Sequence, residues 1–278
     1  MPVSIEAFHL QTPAGFRFCV LRKPSEGSAC HGAIIHVPAF AEEMNKSRHM
    51  VALQADAWAQ DGWMVLQIDF GGCGDSEGDF ADAGWDGWLE DVRYAHEWAS
   101  AQTNGPVWLW GLRLGAVLAA EAADRFRLEC GLLLWQPVVS GKQHLQQFLR
   151  MWKMAQVVGK SGPGDELPPQ QRLAAGETVE IAGYAITPDL ARGMEASSLT
   201  AAAAVPLGVH WFQLSPAGEV APSPAFERLE RQWAGAGFGA RHHAVVGPSF
   251  WQSQEIEVAQ DLIDRSRRVL AALTMGRV

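Results

Sequence analysis

The 278-residue sequence lacks several features that mark particular classes of protein. Its four cysteines have no C-x-x-C spacing and no companion histidines, which argues against a zinc site or a disulfide framework. No apolar run approaches the roughly 20 residues that a membrane span requires. The first residues have neither the basic start nor the apolar stretch of a secretory signal. We therefore expect a cytoplasmic protein with free thiols, no metal ion and no cofactor.

Basic residues are also scarce. The sequence has 22 lysines and arginines against 31 aspartates and glutamates, which gives a formal net charge of -9. Nucleic acids and anionic membranes bind to clustered positive charge, so neither is an expected partner. What the chain does have is apolar surface to bury, because 48% of its residues are hydrophobic and only 19% are charged. This composition predicts one large core, with or without a small lid.

Strand-like and helix-like segments alternate along most of the chain. Continuous apolar runs indicate buried strands, and apolar residues at helical spacing indicate the helices between them. The predicted strands are 16–21, 32–37, 63–68, 107–110, 132–135, 208–214 and 242–246, and the predicted helices are 50–60, 84–101, 113–124, 143–157, 224–235 and 254–275. This order is typical of an α/β protein with a mostly parallel central sheet and helices on both faces.

The alternation is interrupted between about residues 140 and 199. The helix-like stretch 143–157 is followed by a break rich in glycine and proline and then by a predicted hairpin at 177–186. We therefore predict a core formed by residues 1–139 and 200–278. Residues 140–199 are predicted to be a lid insertion that lies over a pocket.

The segment Gly111–Gly115 has the spacing of a nucleophile elbow but no nucleophile. In the pattern G-x-S-x-G, a sharp turn from strand to helix raises the middle side chain above the sheet, and the glycines let strand and helix approach closely. The middle residue here is Arg113. Its guanidinium stays protonated and has no usable lone pair, so it cannot attack a carbonyl group.

The order of these signals resembles the α/β-hydrolase fold over nearly the whole chain. The segments Pro38–Arg48, Gly111–Gly115 and Gly247–Gln252 are more narrowly similar to the second type of exosortase-A-system-associated hydrolase. The resemblance implies a function associated with the bacterial system that sorts PEP-CTERM proteins and makes exopolysaccharide. It also implies hydrolysis of an ester or acyl bond, with an acyl-bearing ligand or a protein of that system as the partner.

The other two members of a serine-hydrolase triad are not found where the fold requires them. The acid should follow the last strand but one, where only Glu219 is available, several residues along. The histidine should follow the last strand, and residues 247–251 contain none. Three histidines lie within these strands or at their start, and we interpret them as core or surface residues: His210, His242 and His243. An ordinary serine-hydrolase mechanism is therefore not expected.

Arg113 itself has two interpretations. At the start of a helix, beside free backbone N–H groups, its raised guanidinium is a site for a carboxylate or phosphate group of a ligand. Alternatively it forms an internal ion pair, because buried arginines are usually paired. The candidate partners lie on loops at the same edge of the sheet and are Glu42, Glu43, Asp75 and Glu77. Both interpretations hold if the anionic group of a ligand can replace the internal carboxylate that pairs with Arg113.

Other groups at this edge are candidates for chemistry. The backbone N–H groups of Phe40 and Leu114 are placed to converge as an oxyanion hole. Glu42 or Glu43 can activate water if its pKa is raised. Substitute nucleophiles, each without a histidine nearby in sequence, are Cys73, Ser76 and Ser249.

The sequence leaves two functions open. The first is a hydrolase or transferase with a site around Glu42, Glu43, Arg113 and Ser249, beside the pocket loop that carries Asp75 and Ser76. The second is a noncatalytic protein whose inherited pocket binds an anionic ligand or a protein partner.

Overall fold

The computed structural model describes residues 3–25, 27–152, 167–200, 205–218 and 220–275. Within these ranges an eight-stranded sheet forms the centre of the protein, and a separate hairpin lies outside it. The strands are β1 (Ser4–Thr12), β2 (Gly15–Lys23), β3 (Ala33–Val37), β4 (Met64–Ile68), β5 (Val107–Leu112), β6 (Gly131–Trp135), β7 (Val179–Ile181), β8 (Tyr184–Ile186), β9 (Val209–Ser215) and β10 (Ala240–Val246). The order across the sheet is β1-β2-β4-β3-β5-β6-β9-β10.

Parallel pairing places the loops of the candidate site together. In the eight-stranded sheet β1 and β2 are antiparallel to their neighbours, whereas the six strands β4, β3, β5, β6, β9 and β10 all pair in parallel. The carboxyl ends of the parallel strands therefore meet at one edge of the sheet. The segments that follow β3, β5, β6 and β10 all begin there.

Helices cover both faces of the sheet. They are α1 (Glu42–Gln60), α2 (Trp85–Gln102), α3 (Gly115–Arg125), α4 (Gly141–Leu149), α5 (Pro169–Ala174), α6 (Pro188–Ala196), α7 (Pro224–Gly235) and α8 (Gln260–Met275). The apolar sides of α2, α3 and α7 pack into one core cluster, and those of α1 and α8 pack into a second cluster on the opposite face. The predicted α/β class, with a mostly parallel sheet and helices on both faces, is confirmed. No helix in the described ranges is both long and apolar enough to cross a membrane.

Several boundaries differ from those predicted. β1 was not predicted, because as an edge strand it is mostly exposed and has little apolar alternation. α1 begins at Glu42 rather than at residue 50, because its first turn is polar. The predicted helix 143–157 is observed as α4 over Gly141–Leu149, and residues 153–157 lie outside the described part of the chain.

The interruption between β6 and β9 contains α4, α5, the hairpin and α6. The predicted hairpin is confirmed by the antiparallel pairing of β7 with β8. Its two-residue turn has positive φ at both Ala182 (51°) and Gly183 (84°), as the right-handed twist of a tight hairpin requires. Tyr184 of β8 packs edge-on against Phe80 and Phe148, with ring centroids 5.1 and 6.2 Å apart. The hairpin is thereby held against the core at the edge where the parallel strands end.

A histidine pair joins β9 and β10 and is expected to make stability depend on pH. His210 Nδ1 and His243 Nε2 are 3.0 Å apart, and the His243 ring stacks on Phe212. Burial, with smaller effects of nearby positive groups, lowers the pKa of His210 to about 3 and of His243 to about 4. The folded protein favours the neutral rings, so this stabilisation is complete above pH 6.5 and is lost as the pH falls towards 4.

Replacement of His243 by phenylalanine tests this expectation. The melting temperature of the variant is expected to fall less steeply than that of the wild type between pH 6.5 and 4.5, because one ring no longer has to take up a proton. His9→Gln is the control, since His9 is exposed on β1. Equal slopes for the wild type and His243→Phe would contradict the assignment.

Candidate functional site

The elbow geometry is retained at Arg113. β5 ends at Leu112 and α3 begins at Gly115, so Arg113 lies in the turn and not in the helix as predicted. Its φ of 56° is in the left-handed region, which is unfavourable for a residue with a side chain. The Arg113 N–H donates to the Trp135 carbonyl at 3.1 Å, and its own carbonyl accepts from Val138 at 3.1 Å. These bonds hold the strained residue in place and raise its side chain above the sheet.

Arg113 forms an ion pair with Glu43. Its Nε lies 3.2 Å from Glu43 Oε1, and its Nη1 donates to the carbonyl of Gln136 at 3.3 Å. The Trp251 ring packs against the guanidinium, 5.2 Å from its carbon to the ring centroid. Nη2 donates no hydrogen bond to a residue in the described part of the chain.

The other three candidate carboxylates lie elsewhere. Glu42 is exposed and accepts from the Tyr184 hydroxyl at 3.3 Å. Glu77 accepts from the backbone N–H of Phe16 at 3.0 Å. Asp75 is exposed on the loop after β4. Of the two interpretations of Arg113, the internal ion pair is therefore present in this structure, and its partner is Glu43.

His144 on α4 is a third member of this buried group. Its Nε2 lies 3.6 Å from Glu43 Oε2, and the side chains of Arg113, Glu43 and His144 are 14%, 18% and 8% exposed. Burial raises the pKa of Glu43, and the charges of Arg113 and Lys46 oppose this effect. Burial, together with the Arg113 charge, lowers the pKa of His144 to about 4. The imidazole is therefore neutral near pH 7 and offers a neutral partner to the carboxylate.

The sequence patterns do not single out His144, because it lies outside the elbow and outside the loops where a triad acid or histidine is expected. The signal available was its position on the apolar side of α4, where its neighbours Leu145, Phe148 and Leu149 are all buried. A polar ring on an apolar face is more often a core residue than a functional one, so this signal is weak. Only the fold brings α4 to the start of α1, where Glu43 lies.

The three side chains line a cavity of about 230 Å³. Its apolar lining is supplied by Phe40, Phe148, Met151 and Trp251, and Lys46 and Gln252 also line it. Lys46 Nζ donates to the carbonyl of Gln252 at 3.2 Å, which ties α1 to the loop after β10.

The loop after β10 carries the indole of Trp251 in the region where a serine-hydrolase triad would have its histidine. Trp251 is 3% exposed and contacts Arg113. Ser249 on the same loop is half-buried, and its carbonyl accepts from the N–H of Gln252 at 2.9 Å. The cavity wall contains Trp251 and Gln252 from this loop, and Ser249 lies outside it. Glu219, the candidate acid, lies outside the described residues.

The predicted oxyanion donors lie beside the main cavity. Phe40 and Leu114 both line a small adjoining space of about 10 Å³, together with Cys73. Neither backbone N–H donates a hydrogen bond to another described residue. That the N–H groups of Phe40 and Leu114 converge on one point, as an oxyanion hole requires, stays a prediction. Burial raises the pKa of Cys73 to about 12, so its thiol stays protonated and is a poor nucleophile.

Ser76 has a structural environment. Its hydroxyl donates to the Asp69 carbonyl and accepts from the backbone N–H of Phe18 at 2.9 Å, which pins the loop after β4 to β2. The N–H of Asp75 donates to Asp69 Oδ2 at 3.3 Å in the same loop. In the described ranges no group of three or more metal-ligating side chains comes together.

Solved structures share this fold at low sequence identity. Est1E from Butyrivibrio proteoclasticus with bound ferulic acid has a TM-score of 0.65 at 16% identity, over 97% of this chain and 100% of that one. A thermostable carboxyl esterase from Bacillus coagulans in complex with glycerol has a TM-score of 0.60 at 15% identity, over 99% of each chain. An α/β serine hydrolase without lid from Xanthomonas campestris has a TM-score of 0.54 at 18% identity, over 100% and 96%.

Sequence comparison gives the family. A search of curated proteins found no match. The profile of the family named serine aminopeptidase, S33, matches residues 28–200, which is more than half of the chain and includes the elbow. The chain therefore belongs to the serine aminopeptidase S33 family and has the α/β-hydrolase fold, with an arginine at the centre of its elbow.

Proposed function

We propose that this protein is a noncatalytic member of its family that binds a small anionic ligand at Arg113, within the bacterial exosortase and exopolysaccharide system. The observation that carries the proposal is the guanidinium in the place of the nucleophile. Arg113 is held by Glu43, by the Gln136 carbonyl and by Trp251, and among the described residues its Nη2 group has no hydrogen-bond acceptor. A planar guanidinium with free N–H groups is suited to a carboxylate or phosphate.

The resemblance to exosortase-associated hydrolases supports the proposed role in the exosortase and exopolysaccharide system. The three segments that carry it are 38–48, 111–115 and 247–252. Each segment contributes to the lining of the same cavity. The first provides Glu43 and Lys46, the second provides Arg113, and the third provides Trp251. Likeness that is concentrated in a pocket is expected where related proteins bind related ligands. The insertion 140–199 adds His144 and Phe148 to the wall, which supports its proposed role as a lid over a core of residues 1–139 and 200–278.

A second candidate function is hydrolysis of an ester or acyl bond through Glu43. Oε2 of Glu43 accepts no hydrogen bond from a described residue and lies 3.6 Å from a neutral His144. Its buried carboxylate, with a raised pKa, has the character of a general base for water. In this scheme Arg113 would stabilise the developing oxyanion, and Glu42 would border the reacting water.

An activity assay separates these two functions. Wild-type protein is expected to show no turnover of p-nitrophenyl esters or thioesters above the uncatalysed rate, and no labelling by a fluorophosphonate probe. Turnover by the wild type that is abolished in Glu43→Gln would establish the hydrolase instead.

A binding assay tests the proposal directly. Carboxylates at 100 times their dissociation constant are expected to stabilise the wild type by about 2.7 kcal/mol and to raise its melting temperature. Arg113→Gln is expected to lose this effect while it keeps the fold and the elbow. Stabilisation that survives in Arg113→Gln would place the ligand elsewhere.

A further inference from the structure

The cations of the cavity are already balanced by acidic groups. Arg113 faces Glu43 from the elbow, and Lys46 and Glu42 lie on α1 beside it. His144 faces Glu43 from α4, and Tyr184 of the hairpin donates to Glu42. A ligand anion that reaches Arg113 thus adds a negative charge beside the Arg113–Glu43 pair, whose charges already balance and whose side chains are only 14% and 18% exposed.

We propose that the ligand is a monocarboxylic acid with an aromatic or medium-chain apolar body, and that its carboxylate displaces Glu43 from Arg113 while the Glu43–His144 pair takes up one proton. This inference rests on the proposed function and deepens it by naming the ligand class and the linked proton.

The apolar body follows from the wall and the size of the cavity. Phe40, Phe148, Met151 and Trp251 supply the apolar part of the lining, and the Phe40 and Phe148 rings pack edge-on at 5.0 Å. A dry cavity of about 150 Å³ holds benzene, so 230 Å³ accommodates a ring or a chain of about eight carbons together with its carboxylate. Methionine adapts its shape to varied apolar groups. A bare inorganic anion would leave this wall without a partner.

The linked proton follows from the position of Glu43. Its carboxylate has Arg113 on one side, at Oε1, and His144 on the other, at Oε2. Burial already raises its pKa, and the guanidinium is the largest influence that opposes this rise. A ligand carboxylate takes over that positive charge and brings a like charge close to Glu43. The proton comes from solvent and is held at Oε2, on the side of the neutral His144 ring.

Calorimetry with octanoate and 4-phenylbutyrate tests both parts. Titrations in Bis-Tris and in Tris buffer, two cationic buffers whose ionisation enthalpies differ, report the number of protons taken up. We expect uptake of one proton and a dissociation constant that rises with pH between pH 6 and 8. The ligands stay ionised over this range. Glu43→Gln keeps the shape and a hydrogen-bond acceptor, and we expect it to bind both acids without proton uptake or pH dependence.

The outcomes distinguish the two proposals. Carboxylate binding by the wild type with no proton uptake would overturn the exchange at Glu43 and would leave the proposed function standing. Failure of both the wild type and Glu43→Gln to bind either acid would overturn both proposals. Octanamide, which has the same body without the charge, is expected to bind at least tenfold more weakly than octanoate, and equal binding would overturn the assignment of a carboxylate.

Discussion

Replacement of Asp91 by asparagine is expected to lower the free energy of unfolding by about 3–5 kcal/mol, because it leaves a buried arginine without its counter-charge. Asp91 Oδ1 accepts from Arg17 Nε at 2.7 Å, and its Oδ2 accepts from the backbone N–H of Gly71 at 2.8 Å. The two charged side chains are only 5% and 2% exposed. One carboxylate therefore joins β2, the loop after β4 and α2.

Denaturant unfolding at pH 8 measures this effect. Burial raises the pKa of this carboxyl group, and pH 8 favours its ionised form. The melting temperature is expected to fall by roughly 10 °C. Glu97→Gln is the matched control on the same helix, because Glu97 pairs with Arg93 in solvent and its loss is expected to cost less than about 0.5 kcal/mol. A loss below 1 kcal/mol in Asp91→Asn would show that Arg17 finds another partner or water.

Replacement of Gly115 by alanine is expected to destabilise the protein by about 3 kcal/mol and to displace Arg113. An added Cβ would lie 2.2 Å from the carbonyl oxygen of Val37 and 2.5 Å from that of Pro38. Both are backbone atoms at the end of β3, which is paired with strands on both sides. Neither can move away as a flexible side chain would, so α3 must shift away from the sheet.

Gly87→Ala is the control for Gly115→Ala. Gly87 is exposed on α2, and an added Cβ there meets nothing within 4 Å. Its replacement is expected to be neutral or to stabilise the protein by up to about 1 kcal/mol, since alanine favours the helix. Unfolding curves of both variants, with the carboxylate-dependent melting shift as a second readout, give the comparison. If Gly115→Ala were as stable as Gly87→Ala, the close contact between α3 and β3 would not be needed.

Local patterns were enough to predict most of the fold. Buried parallel strands such as β3 have continuous apolar runs, and the helices between them have apolar residues at helical spacing. β1 has no clear signal in the sequence, because a strand at the edge of the sheet is mostly exposed and needs no apolar alternation. The start of α1 has none because its first turn is acidic. The elbow was found because its glycines are required by close backbone contacts, which leave a signature in the sequence.

The sequence by itself determined that an arginine stands in the place of a nucleophile and that the loop after the last strand has no histidine. It also determined the order of strands and helices, because both depend on residues that are near one another in the chain. Only the tertiary structure decided which carboxylate faces Arg113, since two candidates in the first turn of α1 and two on the loop after β4 all follow strands that end at the same edge. It also decided that His144 and Trp251 complete the site. Contacts between residues 70 to 140 positions apart, such as Glu43 with Arg113 and with His144, depend on how the strands pair across the sheet, and no local pattern encodes that pairing.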